Sequence, residues 1–167
     1  MPAAVLIPLI ERDSGLHVLL TQRSANLRDH AGQISFPGGR IEKGDLSPWH
    51  AALRETQEEI GISPETVEFA GYLPDHVVGT GFRVTPVVGF VGAPLKMLLA
   101  ADEVDEVFEV PLEHIFDVTN QRLKARRIGE TEVQFHDIRF QHRSIWGATA
   151  GILMTWQRLI EARRTEI

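Results

Sequence analysis

Apolar positions along the chain gather into short runs separated by turn-forming residues. Ala3 to Ile10 and His17 to Thr21 are two such runs divided by ERDSG, which predicts a hairpin or two neighbouring strands. The following QRSANLRDHAGQIS is polar and irregular, and FPGG then bends the chain sharply. Ser47-Pro48 opens a helix, with serine as N-cap and proline at the first helical position. Ala51, Ala52, Leu53 and Ile60 supply its buried side, and Gly61 ends it. Val67 to Val78 and Phe82 to Val91 read as strands broken at VVGTGF, and Val104 to Val110 as another run leading into PLEHIFDV, a short helix. Val133 to Phe140 alternates until the apolar phase shifts at His136-Asp137, which predicts a bulge or turn there. Ile152, Leu153, Trp156, Leu159 and Ile160 stripe a last helix, and Trp146 and Trp156 read as core. Strands, one helix, more strands and a last helix predict an α/β fold, a mixed β-sheet between helices, as a single domain over 1–167.

Composition narrows the chemistry. The chain has no cysteine, which excludes disulfides, thiolate metal sites and cysteine nucleophiles and fits a reducing, cytoplasmic setting. The N-terminal MPAAVLIPLIERD lacks early basic residues and meets charge after a short apolar run, so it reads as a strand and not a signal peptide. No stretch approaches the roughly 18 apolar residues of a membrane span. A net charge of −6 argues against nucleic acid as a partner, although a local basic patch can still grip a phosphorylated small molecule.

The acidic excess is concentrated in RETQEEIG, Arg54 to Gly61. Glu55, Glu58 and Glu59 fall within one turn of helix, where like charges repel by about a few tenths of a kcal/mol per pair. They also sit at the C-terminal end, where the helix dipole disfavours negative charge. A bound divalent cation reverses the sign of that cost, and hard cations such as Mg²⁺ take carboxylates, waters and phosphate oxygens as ligands. The two glycines of FPGG let the backbone approach that helix closely, so a loop carbonyl can join the glutamates.

GGRIEKGDLSPWHAALRETQEEIGI, Gly38 to Ile62, resembles the Nudix box: glycine, five residues, glutamate, seven residues, then Arg-Glu-aliphatic-any-Glu-Glu-any-Gly-aliphatic. Arg54, Glu55, Glu58, Glu59, Gly61 and Ile62 match the second half, with Thr56 at the aliphatic position. Asp45 stands where the first glutamate is usual, with eight residues between it and Arg54. This longer aspartate variant resembles the coenzyme A pyrophosphatase branch of the family. So do LLTQRSANLRDHAGQISFPGG upstream (Leu19 to Gly39), TGFRVTPVVGFV (Thr80 to Val91) and IWGATAGIL (Ile145 to Leu153).

The resemblance implies an α/β/α sandwich in which the box forms a loop-helix-loop platform for Mg²⁺ or Mn²⁺. It implies Glu55 and Glu59 as principal ligands, Glu58 as a further or water-bridged one, and the Gly38 carbonyl as a backbone ligand. Arg54 would orient a glutamate by a charge-assisted hydrogen bond. The general base varies within the family, and Glu103, in ADEVDEVFEVPL, is the first choice here for an extra ligand or base. Arg23, Arg28 and Arg40 are the expected phosphate clamps, His30 is expected to bond a phosphate or pin the upstream loop, and Phe82 to meet the substrate or join the core. The implied reaction is attack of water on a diphosphate linkage, and in this branch coenzyme A yields 4′-phosphopantetheine and adenosine 3′,5′-bisphosphate. Competing readings are a Nudix diphosphatase acting on ADP-ribose, NADH, a dinucleotide or an oxidised nucleoside triphosphate, and a non-catalytic Nudix-like ligand-binding module. Intact Glu55, Glu58 and Glu59 argue against the module. Many family members form homodimers; no stretch of the sequence marks an interface.

Overall fold

The first two apolar runs do form a hairpin. In a computed structural model describing residues 1–166, strand β1 (Pro2–Arg12) pairs antiparallel with β2 (Gly15–Arg23), from Leu9↔Val18 to Arg12↔Gly15. Before Leu9 the two strands part. Into the gap beside β1 comes FPGG, whose β4 (Gly38–Arg40) pairs with Ala3 to Val5, while β3 (Ile34–Ser35) pairs with the far end of β2. Gly38 is forced by this insertion: its φ is +158°, and a Cβ would lie 2.4 Å from the Ala4 carbonyl oxygen.

The helix follows as its caps predict. Helix α1 (Pro48–Ile60) starts with the Ser47 side chain accepting from the His50 amide and ends at Gly61 with φ 74°. The expected Val67–Val78 strand is two pieces, β5 (Val67–Tyr72) and β6 (His76–Val77), because Pro74 offers no amide to the ladder between them. Strand β7 (Arg83–Val91) pairs antiparallel with both and parallel with β1, and β8 (Val104–Pro111) pairs with β2. These make an 8-stranded mixed sheet with the order β3-β2-β1-β7-β5 along its main path.

The sheet is buried on both faces, which is why β1 reads as a continuous apolar run instead of an alternating one. Leu6, Ile10 and Leu19 pack with α1, whereas Ile7, Val18 and Leu20 meet α3 (Gly147–Thr165) and the short α2 (Leu112–Phe116). The layering is the predicted mixed sheet between helices.

In the last third of the chain two expectations fail, and one strand forms where the sequence pattern announces none. Residues Gln121–Ile128, QRLKARRI, form strand β9 despite their charge, because they pair along the whole of β10 (Thr131–Phe140) and almost all of them are exposed. Strand β10 has no bulge or turn at His136-Asp137; its pairing runs unbroken from Thr131 to Ile138. The apolar phase shifts because the strand's halves bury opposite faces: Ile138 enters the core, while Phe135 belongs to the outer face. Asp137 is tolerated on that outer face because Lys124 pairs with it and the Ser144 hydroxyl donates to it. Trp146, at the end of β11 (Arg143–Trp146), is not core but 39% exposed, whereas Trp156 does pack against Phe116.

Candidate active site

Glu55 and Glu59 lie one turn apart on α1 and face the Gly38–Gly39 backbone. A Cβ on Gly39 would come within 2.6 Å of the Glu55 carboxylate, so the second glycine leaves the space that the side chain occupies. Glu59 is 6% exposed. Burial pushes its carboxyl up to about 8, with Glu55 and Glu103 adding repulsion, while Arg23 and the Gly38 amide pull the other way. Burial also raises Glu55, against the hydrogen bond and charge of Arg54, and Glu58 and Glu103 push in the same direction as burial.

Arg54 organises the platform through nearly all of its donors. Nε and Nη2 grip the two Asp45 oxygens at 3.0 Å each, Nη2 also reaches the Arg40 carbonyl at 3.1 Å, and Nη1 donates to Glu55 at 3.0 Å. Asp45 in turn accepts from the Glu42 amide at 2.8 Å, and the Arg54 hydrogen bonds hold its carboxyl below the usual range. The aspartate is thus the loop's anchor: one residue farther from Arg54 and one methylene shorter than the family's glutamate, it still receives a two-pronged clamp.

Glu103 arrives from a distant part of the chain. The Leu98 and Ala100 amides donate to the Ile60 and Glu59 carbonyls at 2.9 Å each, satisfying groups that a helix end leaves unpaired. That docking carries Glu103, exposed, to the buried carboxylates. Gly61 is required twice, for its left-handed φ and because a Cβ there would lie 2.7 Å from the Leu98 nitrogen. Gly61→Ala should therefore destabilise the protein by about 1–3 kcal/mol and loosen the 98–103 segment. Thermal unfolding and limited proteolysis in that segment measure the two effects.

The same loop holds the upstream motif. The Ser24 amide donates to the Glu103 carbonyl at 2.9 Å, and the Ala25 amide to the Asp105 carboxylate at 3.1 Å. Asp105 stands beside Glu103 in the acidic ADEVDEVFEVPL, but the fully buried Ser24 carries no signal in the sequence, and nothing in the spacing announces a contact between segments so far apart. His30 sits in an exposed turn with φ 56°, its ring bonded to Gln33 at 3.0 Å, which fits a loop-pinning role. Arg28 is exposed on the same loop. Phe82 precedes β7 instead of starting it, and the Arg40 guanidinium lies 5.5 Å from its ring centre, so two expected substrate contacts touch each other. Glu58 is on the rim, its side chain 55% exposed and 3.4 Å from Arg54.

This donor set fits a divalent cation. Two carboxylates are held in a site that resists their ionisation and has no room for a Cβ, and a third carboxylate stands beside them. Among the described residues no three acidic or histidine side chains already close into a cage. Mg²⁺ does not need one, since it keeps several waters and takes substrate phosphate oxygens. Gly39→Ala tests the cradle. The added methyl displaces only the mobile end of Glu55, so stability should change by less than about 1 kcal/mol. Metal affinity should fall about tenfold or more, as titration calorimetry with Mn²⁺ would show.

A groove of about 570 Å³ lies at the other end of β1, lined by Glu11, Glu65 and Glu68 against the single cation Arg12, among others. It contains none of the expected site residues, and its acidic lining repels a diphosphate.

Comparisons with known proteins give the family and the fold. The NUDIX domain family model matches residues 1–131. A Citrobacter koseri protein named "Uncharacterized Nudix hydrolase NudL" is 46% identical over 152 residues, covering 90% of this chain and 78% of that protein. Among solved structures, the M. Smegmatis Nudix hydrolase RenU superposes with a TM-score of 0.65 at 21% identity, over 98% of this chain and 86% of that one. The NUDIX domain of Shewanella oneidensis NrtR, complexed with ADP ribose, superposes with a TM-score of 0.52 at 22% identity, over 69% of this chain and 75% of that one. Both structural likenesses concern the fold.

Proposed function

Because the chain belongs to the Nudix family, and so is a hydrolase of nucleoside diphosphate derivatives, we propose that its substrate is coenzyme A, cleaved at the diphosphate to 4′-phosphopantetheine and adenosine 3′,5′-bisphosphate. The observation that carries the substrate assignment is the seating of the upstream motif. Residues 24 and 25 of LTQRSANLRDHAGQISFPGG are hydrogen-bonded to the segment bearing Glu103 and Asp105, so the stretch that distinguishes the coenzyme A branch forms the rim of the acidic site.

Glu55 and Glu59, with the Gly38 carbonyl and Glu58 at the rim, would hold Mg²⁺ or Mn²⁺. When bound, the cation supplies Lewis acidity, lowering the pKa of water and neutralising charge on the phosphoryl oxygens. Arg54 fixes the Glu55 side chain and, through Asp45, the loop beneath it. Glu103, exposed at the end of its docked loop, takes the proton from the attacking water. Arg23, beside Glu59, and Arg40, stacked near Phe82, bind the phosphates; Arg28 extends the same basic rim. Phosphoryl transfer asks little covalent work of a protein, so this positioning is most of the catalysis.

The test is turnover of coenzyme A, acyl-coenzyme A, ADP-ribose and NADH with Mg²⁺ or Mn²⁺ and with chelator. A clear preference for coenzyme A or its thioester is expected. Equal turnover of ADP-ribose would remove the substrate assignment and leave the diphosphatase.

A further inference from the structure

In IWGATAGIL the Thr149 hydroxyl donates to the Ile34 carbonyl of the upstream motif at 3.0 Å, but the motif's tryptophan is not where a core residue would be. Trp146 forms one wall of a groove of about 400 Å³ on the outer face of the three-stranded sheet β11-β10-β9. Phe135 faces it from β10, with ring centres 6.0 Å apart and planes tilted by 60°. Ile128 and Val133 continue the apolar floor, at 61% and 42% exposure.

The charge on this face runs against that of the whole protein. Strand register places Arg126 opposite Val133, Lys124 opposite Phe135, Arg122 opposite Asp137, and Arg139 opposite Ser144. Residues directly opposite across a sheet share a face. The face therefore carries four cations against one carboxylate, Asp137, in a chain of net charge −6. Asp137 is buried and already paired with Lys124, while Arg126 lines the groove and pairs with no carboxylate among the described residues.

From this arrangement we infer that the groove is a second binding site, for a nucleoside phosphate, separate from the acidic site on α1. The base stacks on Trp146 with Phe135 against its edge, and the phosphate meets Arg126. Aromatic faces beside fixed cations suit that chemistry, since a base offers a π-face and its phosphate the charge. The volume suits one small ligand, small-molecule sites usually being roughly 300–1,000 Å³. A second copy of the chain is a poorer occupant, because a twofold contact through this face would set its arginines against their own counterparts.

AMP is the probe, because it has the base and phosphate but no diphosphate to cleave, so the outcome does not depend on which substrate the acidic site takes. Calorimetry and tryptophan fluorescence are run with the full chain in chelator. The expected result is saturable binding of one AMP, unchanged by Glu59→Gln and weakened about tenfold or more by Trp146→Leu, as loss of one base–aromatic stack requires. Arg126→Ala should weaken it comparably and steepen its loss with salt no further. Arg126 is exposed, so that variant reports even if replacing Trp146 disturbs the start of α3. Three outcomes each overturn the site: no binding at millimolar AMP, binding that neither variant changes, or variants that alter sedimentation instead of AMP binding, the last assigning the face to contact between copies.

Discussion

Glu59→Gln is expected to cut diphosphatase kcat/KM by on the order of 10³-fold, because several kcal/mol of transition-state charge stabilisation depend on the cation that it holds. Glutamine keeps the volume and can still accept from the Gly38 amide, so the loss reports charge and not collapse. The site around it was built for an anion that is costly until compensated: Glu55 and Glu103 repel it, and Arg23 offsets them by charge. The loss should exceed that for Glu58→Gln, whose side chain is 55% exposed and sits at the rim. Steady-state kinetics of the two variants with coenzyme A at saturating Mg²⁺ decide it. Activity in Glu59→Gln near that of the unaltered enzyme would remove Glu59 as a ligand.

Stability of the metal-free protein should fall as pH rises from about 5 to about 8.5, by on the order of a few kcal/mol, and Mg²⁺ should restore more of it at the upper end. The sign follows from Glu59. Its carboxyl titrates near 4.5 when unfolded and is pushed up to about 8 when folded, so the folded state binds the extra proton through that window. Stability from the neutral form is complete below the unfolded value and lost as pH passes the folded one. Glu55, also raised, adds in the same direction. His76 opposes it, since burial lowers its pKa and the fold gains stability as pH climbs to 6.5. Asp45, Glu109 and Asp137 are all lowered, so their contributions are complete before the window opens. A cation binds the ionised carboxylates, which couples its affinity to the same protons. Thermal unfolding at pH 5, 7 and 8.5, with chelator and with Mg²⁺, measures both slopes. Glu59→Gln should flatten the chelated profile; an equally steep profile in that variant would assign the slope to other groups.

How much of this was legible in the residues depended on whether the signal was local. The caps of α1 are local, and Ser47, Pro48 and Gly61 each do in the structure what their types predict. The Gly-Gly approach to the glutamates was also readable, because glycine pairs have few other uses next to a carboxylate-rich helix. Strand β9 was not readable. QRLKARRI has neither a strand's alternation nor an apolar face, and its conformation is imposed by pairing with β10. Trp146 misled for a related reason: tryptophan is usually buried, but a small sheet standing outside the main core exposes its outer side. At the site, Glu103 was reached by resemblance and by charge, whereas the bonds that deliver it, from Leu98 and Ala100 to the helix end, come from backbone amides that any sequence carries.

The parallel pairing of β1 with β7, from Pro2↔Arg83 to Leu9↔Phe90, also orders events during synthesis. These partners are about eighty residues apart, a long loop to close before its contacts repay the entropy. The hairpin partner of β1, the FPGG insertion and the whole of α1 leave the ribosome earlier. Through that interval one side of β1 is an apolar sheet edge with nothing paired to it, the kind of surface that recruits other chains. Nascent chains and truncations ending before Val91 should therefore be the aggregation-prone species of this protein, even though they already contain every residue of the Nudix box.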